Sequence, residues 1–211
     1  MKRQHLFIIL LLGMLFIGSC TFYPSNTELN EEQLVDITKY DVTADFKSFN
    51  TFAIVDSISV IKNNDSSHVL TPEAQQILNR IIQNMETRGY TRVTKDENPD
   101  LAINVSVIEV TNVYYYPGWY WTYWGYYDPY YWGYPGYYYW YPYYPPVIAY
   151  YSTGTVIIDL LDLKNAPIHD NKLYLIWTAY IRALMNYNHS MEDLLENIDQ
   201  CFIQTPVLRA N

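Results

Sequence analysis

The chain has 211 residues, 13 basic and 22 acidic, for a formal charge of −9. Half of it is hydrophobic and 18% is aromatic, which supplies a core for one domain and excludes wholesale disorder. The acidic balance disfavours nucleic acid and anionic lipid surfaces, because both need a cationic face, and no Lys or Arg lies between Lys95 and Lys164.

Lys2 and Arg3 precede an apolar run of twelve residues, Leu6 to Ile17. A membrane-spanning helix needs roughly 20 residues, so the run reads as the hydrophobic part of an export signal. It ends in Ile17-Gly18-Ser19-Cys20, which resembles the lipobox of bacterial lipoproteins. The resemblance implies cleavage between Ser19 and Cys20, a diacylglycerol thioether on Cys20 and acylation of the new amine, with chains such as palmitate. Two or three acyl chains hold a protein at a bilayer essentially permanently, at about 0.8 kcal/mol per buried CH₂. Loss of residues 1–19 removes Lys2 and Arg3 and takes the charge from −9 to −11. Thr21 stands where the aspartate associated with inner-membrane retention would be, so an outer-membrane lipoprotein, periplasmic or surface-exposed, is expected. With Cys20 lipidated, Cys201 has no partner for an intramolecular disulfide. Residues 20–33 carry the lipidated cysteine and a polar, acidic stretch that reads as a flexible tether.

A single α+β domain is expected over 34–211. Leu34 to Val42 reads as an edge strand, Thr51 to Asp56 as a short strand, and Asn63 to Ser67 as a loop. Thr71-Pro72-Glu73 opens a helix, with a capping hydroxyl, proline at the first helical position and a carboxylate at the positive end of the dipole. Ala74, Ile77, Leu78, Ile81, Ile82 and Met85 form its apolar stripe, and Gly89 ends it. Asn98-Pro99-Asp100 is a turn, after which apolar residues alternate from Leu101 to Val107 in a strand expected to run to about Tyr115. Further strands are expected over Tyr151 to Leu163 and Leu173 to Met185, joined by a polar turn at Lys164 to Lys172. Ser190 and Asp193 form a capping box for a second helix, whose stripe is Met191, Leu194, Leu195, Ile198, Cys201 and Phe202. Cys201 lies on that stripe and reads as a core residue, not a reactive thiol. The economical fold is an antiparallel sheet of about four to five strands, three of them a meander, with two helices on one face and a long Tyr/Trp/Pro/Gly-rich hairpin loop.

Asp45-Phe46, Phe49-Asn50-Thr51-Phe52-Ala53, Gly89-Tyr90, Pro99-Asp100-Leu101, Gly154-Thr155-Val156-Ile157-Ile158-Asp159, Asp162 and Trp177 occur in the order and spacing of a known pattern. From about Tyr40 to Pro206 the chain resembles the bacterial lipoprotein family called Domain of Unknown Function 4136. The resemblance implies an envelope lipoprotein of this α+β fold. It brings no catalytic residue, cofactor or ligand.

The residues themselves name no reaction. His68, His169 and His189 are far apart and read as solvated turn histidines, so no metal site is expected. Asp159 and Asp162 fall on opposite faces of one strand and do not form an acid–base pair. No catalytic residue and no cofactor is predicted, and the chain reads as a non-enzyme.

The insert 114–150 remains. From Tyr114 to Tyr151 there are 18 Tyr, 5 Trp, 6 Pro and 4 Gly, which rules out a long helix or a central strand. It reads as an oversized hairpin loop outside the core, removable without loss of folding. Tyr and Trp combine an apolar body with a polar tip, so Trp119, Trp121, Trp124, Trp132 and Trp140 are candidate contact residues for a membrane interface or an envelope protein. The alternatives are a mobile low-complexity loop with no fixed partner, and a carbohydrate-binding lipoprotein that stacks glycans on these rings.

Overall fold

The computed structural model describes residues 37–62, 65–108, 129–142, 154–182 and 190–211. The chain divides into two units, Met1–Leu34 and Val35–Asn211, and every described residue belongs to the second. The signal, Ser19, Cys20 and the tether lie outside the described residues.

Among the described residues nine strands form one mixed sheet, more than the four to five expected. They are β1 (Ile37–Tyr40), β2 (Thr51–Ile54), β3 (Ile58–Lys62), β4 (Asp65–Val69), β5 (Thr91–Arg92), β6 (Leu101–Ile108), β7 (Tyr138–Trp140), β8 (Thr155–Asp162) and β9 (Lys172–Arg182). The expected meander is its centre: β6, β8 and β9 pair antiparallel in sequence order. Its flanks depart from the expected antiparallel arrangement. On the free edge of β6, β2 pairs with the first half and β3 with the second, both in parallel. On the free edge of β9, β1 pairs antiparallel and β7 parallel. The added strands escape sequence reading for physical reasons. β5 has two residues, and β4 is polar (Asp65-Ser66-Ser67-His68-Val69), so its pairing with β3 rests on backbone bonds with no apolar alternation. The segment read as a loop at Asn63 to Ser67 is thus partly strand, and His68 lies on β4, not in a turn. The extension of β6 toward Tyr115 and of β9 toward Met185 falls outside the described residues.

The two helices, α1 (Pro72–Thr87) and α2 (Met191–Ile203), form as their sequences predict. The Thr71 hydroxyl accepts from the Ala74 N–H at 3.2 Å, and Gly89 follows α1 at φ +90°. The Ser190–Asp193 capping box opens α2. The buried residues of each are those of the predicted stripe, save Met191, which is half-buried. Both helices cover one face of the meander. Ala74 and Ile77 of α1 approach Val107 and Val156, while the Trp177 indole N–H donates to the Thr205 hydroxyl just beyond α2 at 2.9 Å. Register puts Val156 beside Ile181, and Trp177 and Ile181 project from the same side of β9. Between the helices the Arg80 guanidinium meets the Asp199 carboxylate at 2.7 Å, and the Asn84 amide donates to the other Asp199 oxygen at 2.7 Å.

The opposite face is also covered, and here the expectation for the aromatic insert needs correction. Residues Pro129 to Trp132 form a 3-10 turn, and β7 joins the sheet beside Lys172 to Tyr174. Trp132 is 5% exposed and Tyr139 8%, both within the main core cluster. This part of the insert is therefore core, not an appended loop. Its seat is a polar row that crosses three strands: Asn104 on β6 pairs with Asp159 on β8, which pairs with Thr178 on β9. All three side chains are buried. The Thr178 hydroxyl donates to Asp159. The Trp132 indole N–H donates to the Asn104 oxygen at 3.0 Å, and the Asn104 amide donates to the Tyr139 hydroxyl at 3.2 Å. A cover of Leu and Ile would leave the Asn104 amide desolvated without partners, a cost of about 1–3 kcal/mol per group.

Two consequences are measurable by urea unfolding of the purified chain. Trp132→Ala is expected to cost about 3–5 kcal/mol, as for other large aromatic residues cut back in a core. Asn104→Ala, which strips Trp132 and Tyr139 of their shared partner, is expected to cost about 1–3 kcal/mol. Unchanged midpoints in both variants would show that the segment does not pack on the sheet.

Candidate functional site

The docked segment is built to lie flat. Gly133 and Gly136 adopt φ of +86° and +80°, a region that side chains with a Cβ avoid, and they let the chain turn twice in four residues. The Tyr134 N–H reaches the Pro129 carbonyl at 3.0 Å, and the Tyr134 hydroxyl donates to the Leu163 carbonyl at 2.9 Å. Tyr131 meets Trp132 edge to face at 4.8 Å, and Tyr134 meets Tyr137 at 5.1 Å. The inner residue of β7, Tyr139, is buried, so its neighbours Tyr138 and Trp140 point outward at 46% and 43% exposure. The Lys172 ammonium lies 4.9 Å from the Trp140 ring centre. The result is a pair of outward rings on a strand, with a cation fixed over one of them.

Of the five tryptophans singled out from sequence, Trp119, Trp121 and Trp124 lie outside the described residues. Trp132 is a core residue, not an outward ring as expected, and its N–H donates to Asn104. Trp140 is exposed as expected. Cys201 is fully buried, in agreement with its reading as a core residue. His169 stacks on Tyr174 at 3.8 Å and sits 3.7 Å from Asp162, more enclosed than a solvated turn histidine. Asp162 itself accepts from the Asn165 backbone and side-chain amides, so it closes the β8–β9 turn. Among the described residues no three His, Cys, Asp or Glu side chains gather as a metal site would require. No described helix is long and apolar enough to cross a membrane.

Sequence reading missed a cleft of about 910 Å³ at the other end of the docked segment. One wall is Tyr130, Tyr131, the edge of Trp132, Gly133 and Pro135. Facing it are Asp56 and Ser57 from the β2–β3 connection, His68 from β4, and Lys95 and Asp96 from the loop before β6. Four separate chain segments contribute, so no local motif could have announced it. Tyr130 is 71% exposed. The Lys95 ammonium pairs with Asp96 at 2.9 Å and lies 5.7 Å from the Tyr131 ring centre. Burial, with the Asp56 charge in support, holds the Tyr131 phenol above its ordinary pKa, and burial raises Tyr134 likewise.

Burial also raises the Tyr90 phenol, whose hydroxyl donates to the Phe46 carbonyl at 3.1 Å. A phenol whose folded pKa is raised contributes full stability below its unfolded pKa of about 10, and that stability is lost as the pH climbs above it. The urea midpoint is therefore expected to fall between about pH 8 and about pH 11, with the fall reduced when Tyr90, Tyr131 and Tyr134 are replaced by Phe. An equal fall in the triple variant would assign the alkaline loss to other groups.

The model for the family described as Domain of unknown function (DUF4136) matches residues 36–207. Among solved structures, a DUF4136 family protein from Bacteroides thetaiotaomicron is 34% identical, with a TM-score of 0.70, covering 83% of this chain and 97% of that one. A PDZ domain protein from Parabacteroides distasonis is 15% identical at a TM-score of 0.41, covering 81% of this chain and 35% of that one. The PelC dodecamer from Paraburkholderia phytofirmans is 9% identical at a TM-score of 0.38, covering 83% and 98%. No curated protein matches the chain significantly. With a family model spanning most of its length and a crystallised relative at one-third identity, the chain belongs to the DUF4136 family.

Proposed function

We propose that this protein is a lipid-anchored envelope protein whose α+β domain is a non-enzymatic interaction module, with the docked aromatic segment as its contact surface. The observation that carries the reading is the way Tyr138 and Trp140 are displayed. Hydrogen bonds to Asn104 and Leu163 and parallel pairing with β9 hold the backbone, while these two rings face solvent. Rings ordered before contact lose little conformational entropy on binding, which is the usual advantage of a preorganised surface. An exposed Trp and Tyr beside Lys172 also has the chemistry of residues that settle at a membrane–water boundary. A lipid on Cys20 would keep the domain close to such a boundary, so the second contact would be effectively intramolecular. The proposed address is the outer membrane, on the grounds of the Ile17-Gly18-Ser19-Cys20 sequence and Thr21. Carbohydrate stacking is the second reading, and the exposed pair on β7 favours it.

Two experiments test the reading. Cys20→Ala is expected to shift the protein from the membrane to the soluble fraction on cell fractionation; full membrane retention would remove the anchor. A photocrosslinker placed at Tyr138 in the anchored protein is expected to capture lipid or an envelope protein. Combined with Trp140→Ala, capture is expected to fall about tenfold, the equivalent of ~1.4 kcal/mol of contact. Crosslinking that ignores Trp140 would mean that this strand is not the contact surface.

A further inference from the structure

We infer that the cleft between the docked aromatic turn and the β2–β3 and β5–β6 connections binds a neutral, hydroxyl-rich ligand, a saccharide. This rests on the interaction-module reading and gives it a ligand class at a site distinct from the β7 rings. The volume, about 910 Å³, falls within the ~300–1,000 Å³ of small-ligand sites.

The lining narrows the chemistry. An anionic ligand is disfavoured, because the one lysine, Lys95, is already paired with Asp96, and Asp56 adds a further negative charge. A purely apolar ligand is disfavoured too. It would strip water from the carboxylates of Asp56 and Asp96 and return no hydrogen bond. A cation would have to compete with Lys95, whose ammonium already lies over the Tyr131 ring. A neutral polyol meets none of these objections. Its hydroxyls can donate to the Asp56 and Asp96 carboxylates and accept from the Lys95 ammonium, while His68 can serve either way. Charge-assisted hydrogen bonds of this kind are roughly twice as strong as neutral ones. A sugar ring also has an apolar C–H face, and Tyr130, exposed on the cleft wall, offers aromatic surface against which to lay it. Burial of Trp132 and its bond to Asn104 fix the turn that carries both tyrosines, so its backbone is set before a ligand arrives.

The test uses the purified full chain in detergent and calorimetric titration with neutral oligosaccharides of glucose, mannose, galactose, xylose and N-acetylglucosamine. At least one is expected to bind, and Asp56→Asn and Tyr130→Ala are each expected to weaken it about tenfold. Asp56 is exposed, so its conservative variant is expected to keep the parent's unfolding midpoint, which guards against a folding artefact. Flat titrations across the panel overturn the inference, as does binding indifferent to both substitutions. If the panel is flat while Tyr138 still crosslinks to envelope components, the saccharide inference falls alone. If both fail, the interaction-module reading falls with it.

Discussion

Every residue of strand β8 is buried, on both faces. A sheet whose central strands are enclosed in this way needs two covering layers, one for each side. The helices provide one, using long aliphatic stripes against Val107, Val156 and their neighbours. The second face is different in kind. Beside apolar residues it carries the cross-strand row Asn104, Asp159 and Thr178, so a cover of hydrocarbon alone would leave polar groups desolvated. Tyrosine and tryptophan solve both needs, since each buries a large ring and ends in a hydrogen-bonding group. That gives a structural reason for the composition of at least the Pro129 to Pro142 part of the insert.

The ends of the strands are tied with similar economy. The Asp100 carboxylate accepts from the Asn50 and Thr51 backbone amides, and its own N–H donates to the Thr51 hydroxyl. Its carbonyl accepts from both Leu163 and Lys164. One residue thereby joins the start of β2, the start of β6 and the end of β8. The Tyr90 hydroxyl, the Asp162 turn and the Trp177–Thr205 bond act in the same manner at other corners. The residues on which the family resemblance rests are thus occupied in holding strands and helices together. Their roles account for a shared fold.

Rigidity links this architecture to the proposed activity. The docked segment shares its core with the sheet through Trp132 and Tyr139, which backs its turn and the strand that carries the outward rings. Binding residues on rigid backing are placed more accurately than those on free loops. The same docked segment carries both the ring pair on β7 and the tyrosine wall of the cleft.

Much was decided locally and could be read along the chain. Caps at Thr71 and Ser190, helical stripes and the alternation from Leu101 to Val107 depend on neighbours within a few residues, and the helices and the meander follow from them. The seat of the aromatic insert could not be read in this way. Tyr, Trp, Gly and Pro carry no strand or helix period, and whether such a segment is loop or core depends on what it meets across space. In the alternation from Leu101 to Val107, Asn104 falls on the polar side; only the return of Trp132 and Tyr139, 28 and 35 residues later, makes it an interior anchor. The parallel pairing of β2, β3 and β7 and the assembly of the cleft from four segments are likewise tertiary decisions. They arise because backbone edges and side chains distant in sequence become neighbours only in the folded chain.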